Sequence, residues 1–104
     1  MVDWKPGASS ESLHLRAQLL AEIRRFFAAR EVLEIDTPLL APSTVTDVYI
    51  QSLEAKLSDS TGDSPYFLQT SPEFAMKRLL AAGVGSIYQI CKAFRKGETG
   101  KLHN

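Results

Sequence analysis

Leu68-Gln69-Thr70-Ser71-Pro72-Glu73-Phe74-Ala75-Met76-Lys77-Arg78-Leu79 is the stretch from which the architecture can be read in both directions. Its first residues close a short apolar strand, expected from Tyr66 to Thr70, and its remainder opens a helix. Ser71 can accept a bond from a free backbone N–H, Pro72 has the φ angle of a first helical position, and Glu73 suits the positive end of the helix dipole. The helix is expected from Pro72 to about Ala82, burying Phe74, Leu79 and Leu80. Gly83 can take the left-handed backbone that ends it.

Upstream, Asp59-Ser60-Thr61-Gly62-Asp63-Ser64-Pro65 is a turn by composition, and residues 47–58 before it read as a strand region with Tyr49, Leu53, Ala55 and Leu57 on one side. Strand, turn and strand together predict an antiparallel hairpin. Farther upstream, residues 32–40 favour extended backbone, and Pro38, which cannot donate a ladder bond, belongs at an edge, a bulge or a strand end. Leu15, Leu19, Leu20, Ile23, Phe26 and Phe27 recur at helical spacing, so the first element is a long amphipathic helix capped by Ser9 or Ser10, with Arg24, Arg25 and Arg30 toward its negative end. Downstream, Ile87, Tyr88, Ile90, Cys91 and Phe94 predict a last strand over residues 86–95. The order of helix, strands, helix and strand gives an α+β fold, a mainly antiparallel sheet flanked by helices, preceded by an arm at residues 1–9.

No apolar run approaches the roughly 20 residues that span a bilayer, and residues 1–7 lack the pattern of a secretion signal, so a cytoplasmic protein is expected. Cys91 is the only cysteine, which rules out an intrachain disulfide and any zinc site built on paired thiols. Twelve basic and twelve acidic residues cancel over the whole chain. Their distribution is uneven: residues 1–76 carry a net charge of −5 and residues 77–104 a net charge of +5. An anionic ligand would be drawn to the second part, although the same lysines also serve to keep exposed faces soluble.

Two nucleotide signatures fail on spacing. Gly83-Val84-Gly85 follows a helix instead of a strand and has Tyr88 where a dinucleotide fingerprint needs its third glycine. Gly97 and Gly100 are too close for a Walker loop, and Leu102 stands where a magnesium-binding hydroxyl belongs. What remains is Phe94-Arg95-Lys96-Gly97-Glu98-Thr99-Gly100-Lys101-Leu102-His103-Asn104, an arginine at a strand end followed by a polar, glycine-hinged loop. Such a loop can approach a phosphate, and its glycines equally serve simple flexibility.

These residues resemble the catalytic domain of the class II aminoacyl-tRNA synthetases, in its lysyl branch. The first helix followed by Ile35-Asp36-Thr37-Pro38-Leu39-Leu40 is similar to that class's first motif (about residues 24–40). Residues 86–104, through Phe94-Arg95 to His103-Asn104, are similar to the start of its second motif. Within the branch, residues 68–79 and Tyr88-Gln89-Ile90-Cys91 most resemble the elongation factor P (R)-β-lysine ligases, which modify a protein instead of charging tRNA. Residues 10–104 would then be part of a class II catalytic domain. The first helix is expected to begin about ten residues after Met1, so if Met1 is the natural start no room would be left before it for an anticodon-binding domain, which would favour the protein-modifying branch.

The resemblance implies a set of roles. Arg95 would contact the α-phosphate of ATP, where a guanidinium offers paired donors and keeps its charge at neutral pH. Lys96, Gly97 and Glu98 would line the nucleotide, His103 would approach the outer phosphates, and Asn104 would help hold adenine. Ser71, Pro72 and Glu73 would contact the amino acid, with Glu73 facing an ammonium group, while helix capping also accounts for Ser71 and Pro72. Pro38 would lie in a homodimer interface, and Mg2+ ligands would come from outside these residues. Two positions depart from the family pattern. Gly97 occupies the usual place of the second motif's acid, with Glu98 one residue later, and Glu31 occupies a position that is usually glycine. If the backbone at Glu31 is left-handed, a non-glycine residue costs roughly 1 kcal/mol.

The implied activity is adenylation of a lysine-type amino acid, (R)-β-lysine first, and its transfer to a lysine of elongation factor P. The class's third motif does not occur in these 104 residues, so the piece alone is expected to be inactive. Two rivals stay open: part of a lysyl-tRNA synthetase that charges tRNA, and a noncatalytic dimerisation or nucleotide-binding module.

Overall fold

The architecture is built around a hairpin whose tip is held by side chains. In the computed structural model, which describes residues 3–42 and 52–97, β3 (Glu54–Asp59) and β4 (Gly62–Leu68) pair antiparallel with Asp59 opposite Gly62. The loop is therefore only Ser60-Thr61, narrower than the composition of residues 59–65 suggests. Asp59 Oδ1 accepts from the Thr61 amide at 2.8 Å and the Thr61 hydroxyl at 2.6 Å. Those two bonds, the hydroxyl first, hold its carboxyl below the usual aspartate value. Pro65 lies inside β4, opposite Lys56. The amides of Leu68 and Gln69 donate to Leu53 O and Leu39 O respectively, so even-numbered amides face β3 and odd-numbered ones face the other side. There β2 (Leu40–Ala41) reaches Phe67, and among the described residues the missing N–H of Pro65 breaks no ladder bond.

Residues 32–40 divide between two sheets. β2 joins the antiparallel sheet of order β2-β4-β3, whereas β1 (Leu33–Glu34) pairs parallel with β5 (Ile87–Tyr88). The α+β class therefore stands, while the expectation of a mainly antiparallel sheet holds for the larger sheet and not for the smaller. Pro38 lies between β1 and β2, at neither of their paired positions. The expected last strand over residues 86–95 shrinks to Ile87–Tyr88, and Cys91, Phe94 and Arg95 follow in irregular backbone.

α1 (Ser10–Ala29) is capped by Ser9, whose hydroxyl accepts from the Ser12 amide at 3.1 Å. At its other end Glu31 N bonds Ala28 O at 3.1 Å and Val32 N bonds Phe27 O at 3.0 Å, with Glu31 at φ 57°. This is a Schellman ending with glutamate in the left-handed position. Arg24 and Arg25 do not serve the helix terminus: Arg24 Nε bonds Glu34 at 3.0 Å and Arg25 pairs with Glu22. Arg30 does, donating from Nη1 to Phe26 O at 3.0 Å while its guanidinium covers the Phe26 ring at 3.6 Å. α2 (Glu73–Ala81) ends in the same way, with Gly83 at φ 82°, Gly83 N on Leu80 O and Val84 N on Leu79 O.

The helix stripes are only partly covered. Phe27 is half-buried and stacks on Tyr88 at 4.1 Å, joining α1 to the parallel sheet. Burial, and next the charge of Glu34, push the Tyr88 hydroxyl above its ordinary pKa. Leu15, Leu19, Ile23 and Phe26, about a quarter turn around the helix, stay exposed. On α2, Phe74 and Leu80 are exposed and Leu79 is half-buried, a correction to the expected burial of all three. No apolar side chain among the described residues is fully buried; the two best-covered residues are Thr37 and Thr70.

Candidate functional site

Thr70, only 3% exposed, ends the strand side of the site, and the carboxyl-terminal end of β4 delivers the chain to α2 through Ser71 and Pro72. The Ser71 hydroxyl accepts from the Glu73 amide at 3.1 Å, satisfying one of the free donors of the first turn as its sequence position implies. The helix starts one residue later than expected, at Glu73, with Pro72 as its cap and Pro72 O accepting from Met76 N at 3.0 Å. Glu73 is exposed and its carboxylate pairs with Lys77 Nζ at 2.9 Å, one turn along the same face. An exposed pair of this kind is worth little.

Arg95 comes from the irregular segment after β5, and its Nε donates to Thr70 O at 3.3 Å. The bond to Thr70, 25 residues away in sequence, brings the guanidinium beside the Ser71-Pro72-Glu73 turn. A guanidinium tied through Nε has its plane fixed, which is the useful constraint for a group that binds phosphate by a flat fork of donors. Phe94 N donates to Gln69 O at 2.8 Å, a second link between the same two segments. Lys96 and Gly97 follow in an exposed turn with Gly97 at φ 80°, a backbone state that favours glycine. Glu98, His103 and Asn104 lie outside the described residues.

A groove of about 420 Å3 runs between the antiparallel sheet and α2, lined by Pro38, Ala41, Phe67, Ser71, Phe74 and Arg78 among others. Ser71 thus faces the groove, whereas neither Glu73 nor Arg95 is among its lining residues. Sequence reasoning did not single out Gln69, which bonds both to the segment before β2 and to the segment carrying Arg95. The available signal was its place as a polar residue directly after the apolar run Tyr66-Phe67-Leu68. It also missed the bond from Thr37 Oγ1 to Gln89 Oε1 at 3.0 Å, which ties the proline-bearing segment to the residue after β5. Among the described residues no three His, Cys, Asp or Glu side chains lie close enough together to hold a metal ion. No helix among them is long and apolar enough to cross a membrane.

The family model described as tRNA synthetases class II (D, K and N) matches residues 1–104. Among curated proteins, the chain is 52% identical over 104 residues to a protein of Vibrio vulnificus named elongation factor P--(R)-beta-lysine ligase, covering 98% of this chain and 32% of that protein. A protein of the same name from Vibrio parahaemolyticus is 51% identical over 104 residues, with the same coverage of 98% and 32%. Another from Photobacterium profundum is 48% identical over 103 residues, covering 97% and 32%. The chain spans about a third of the length of these relatives.

Proposed function

The chain belongs to the class II tRNA synthetases of the D, K and N group, and from that premise we propose that it contributes the ATP and amino-acid contacts of an elongation factor P (R)-β-lysine ligase. The names of relatives at about half identity support the ligase reading over tRNA charging. The observation that carries it is the Arg95 Nε bond to Thr70 O, because it joins the basic segment to the turn that holds Glu73.

In this reading a carboxylate oxygen of (R)-β-lysine attacks the α-phosphorus of ATP. The bond from that phosphorus to the bridging oxygen breaks, and pyrophosphate leaves. Negative charge grows on the α-phosphate oxygens as the attack proceeds, and Arg95 neutralises it with a cation that needs no reorganisation. Glu73 takes the substrate ammonium, a charge-assisted contact that reaches roughly 1.5 to 3 kcal/mol only once bound substrate shelters this exposed carboxylate from water. Lys96, Gly97 and Glu98 border the nucleotide, His103 meets the outer phosphates and Asn104 the adenine, while Ser71 and Pro72 shape the amino-acid side. An ε-amine of elongation factor P then attacks the acyl carbon and AMP departs. The described residues hold no cluster of acidic or imidazole side chains that fits a magnesium ion, whose ligands would lie elsewhere in the enzyme.

The enzyme would act as a cytoplasmic homodimer, with the exposed α1 stripe and the Pro38 segment at the subunit interface. Leu15, Leu19 and Phe26 are each at least half exposed, which supports a face made for a partner. The test is ATP–pyrophosphate exchange by the protein expressed from its complete reading frame. Exchange should require a lysine-type amino acid, with (R)-β-lysine preferred, and label should pass to elongation factor P and not to tRNA. Arg95→Ala should lower exchange about 10^3-fold, the scale of losing one preorganised oxyanion donor. Exchange unaffected by that substitution, or transfer to tRNA alone, would refute the reading.

A further inference from the structure

We propose that Gln69 is the positioning residue for Arg95, an inference that rests on the ligase reading of that arginine. After β5 ends at Tyr88, residues 89–95 run without ladder partners among the described residues. Backbone that leaves a sheet loses its register, and a guanidinium that must meet a phosphate tolerates little error in position. Gln69 supplies the missing pairing from both its backbone and its side chain. Its amide N–H donates to Leu39 O at 2.9 Å and its carbonyl accepts from Phe94 N at 2.8 Å. Its side-chain Nε2 donates to Lys92 O at 2.7 Å, with Cys91 Sγ at 3.4 Å from the same nitrogen.

One residue at the end of β4 therefore grips two other segments: the approach to β2 and the stretch from Cys91 to Phe94. Its two neighbours complete the geometry. Thr70, next in sequence, receives the Arg95 Nε, and Phe94, the residue before Arg95, is held by the Gln69 carbonyl. Two parallel links one residue apart fix both the distance and the rotation of the Arg95 segment against the turn that opens α2. The side-chain bond to Lys92 O is the part that substitution removes directly, and without it the neighbouring link from Phe94 N to Gln69 O loses its support. Methionine at this position keeps the length and loses the donor, and glutamate keeps the shape and turns the donor into a charged acceptor facing a carbonyl.

The experiment combines Gln69→Met, Gln69→Glu and Arg95→Ala, singly and paired, in the protein from its complete reading frame. Gln69→Met should lower kcat for ATP–pyrophosphate exchange about tenfold, the ratio given by one hydrogen bond, with the KM for the amino acid unchanged. Gln69→Glu should lower it further. In the Arg95→Ala background Gln69→Met should have no additional effect, because a positioning residue has nothing left to position. Amide hydrogen exchange supplies a readout independent of activity: the Phe94 N–H should lose protection in Gln69→Met while the amides of β4 keep theirs. Full protection at Phe94, or a Gln69→Met loss of the same size with Arg95 already removed, would overturn the inference. An Arg95→Ala protein that exchanges normally would instead overturn the ligase reading, whatever Gln69 does.

Discussion

The two helices end in the same turn and are built from opposite residues. At the close of α2, Gly83 takes φ 82°, and at the close of α1, Glu31 takes φ 57°. Both endings make the paired bonds of a Schellman motif, from Gly83 N and Val84 N in one case and from Glu31 N and Val32 N in the other. Glycine enters that region freely, whereas a Cβ there costs roughly 1–2 kcal/mol. The α1 turn forms regardless because its neighbours hold it. Phe27, whose carbonyl takes the Val32 amide, is stacked on Tyr88, and Leu33 two residues past the turn is paired with Ile87. Tertiary contacts can impose a backbone state that the local residue resists, whereas α2 ends on a glycine that meets no such resistance.

The helices differ as much in their flanks. α1 leaves a row of large apolar side chains in solvent, and α2 carries the proposed substrate contacts at its first turn. The strongest test of this division is a charge in the α1 stripe. Ile23→Asp should weaken self-association at least 100-fold, on the scale of an interface hot spot, as read by sedimentation equilibrium. Phe74→Asp on α2 should leave association unchanged, and equal effects of the two would break the contrast. Next in size is the glycine at the end of α2. Gly83→Ala should destabilise the protein by about 1–2 kcal/mol in denaturant unfolding, since no neighbouring atom crowds the new methyl and only the backbone angle opposes it.

The reciprocal substitution sharpens the same point. Glu31→Gly should stabilise by about 0.5–1 kcal/mol, less than Gly83→Ala costs, because glycine also gains freedom in the unfolded chain. A loss of stability would mean that the Glu31 side chain has a role beyond filling the turn. The smallest effect belongs to the hairpin tip, where the Asp59 side chain acts beside the positive-φ Gly62 (φ 118°). Asp59 has a lowered folded pKa, so its contribution is fully present above the unfolded value of 3.8 and fades as pH falls through the folded one. Asp59→Asn should lose that small contribution at pH 7 and match the wild type in acid, so the acid limb flattens, a difference seen by comparing unfolding at pH 7 and in acid.

Local rules made several elements legible. Ser9 caps α1 because a hydroxyl before an apolar-periodic run meets a free amide, and Gly83 ends α2 because it alone enters that turn without strain. The left-handed state at Glu31 was anticipated as a condition, and the structure meets it. Other readings depended on partners that a sequence does not display. Residues 86–95 have the composition of a strand, yet β1 offers only Leu33 and Glu34 for pairing, so the ladder stops at Tyr88 and Cys91 falls outside it. The smaller sheet is parallel because β1 and β5 are brought together by a connection through the hairpin and α2, and β-strand composition carries no direction.

By itself the sequence determined what residues do to their own neighbours: where α1 and α2 start and stop, where the chain reverses between β3 and β4, and that charge is divided between its two parts. Only the tertiary structure decided which distant segments touch. The Arg95 bond to Thr70 and the Gln69 grip on Lys92 and Phe94 join residues more than 20 positions apart, and nothing in either segment alone encodes the other's place. Capping, turn geometry and helical periodicity act over a few residues, where the chain itself fixes the distance. Contacts across the fold exist only once several elements have closed the loops between them, and that closure is a property of the whole packing.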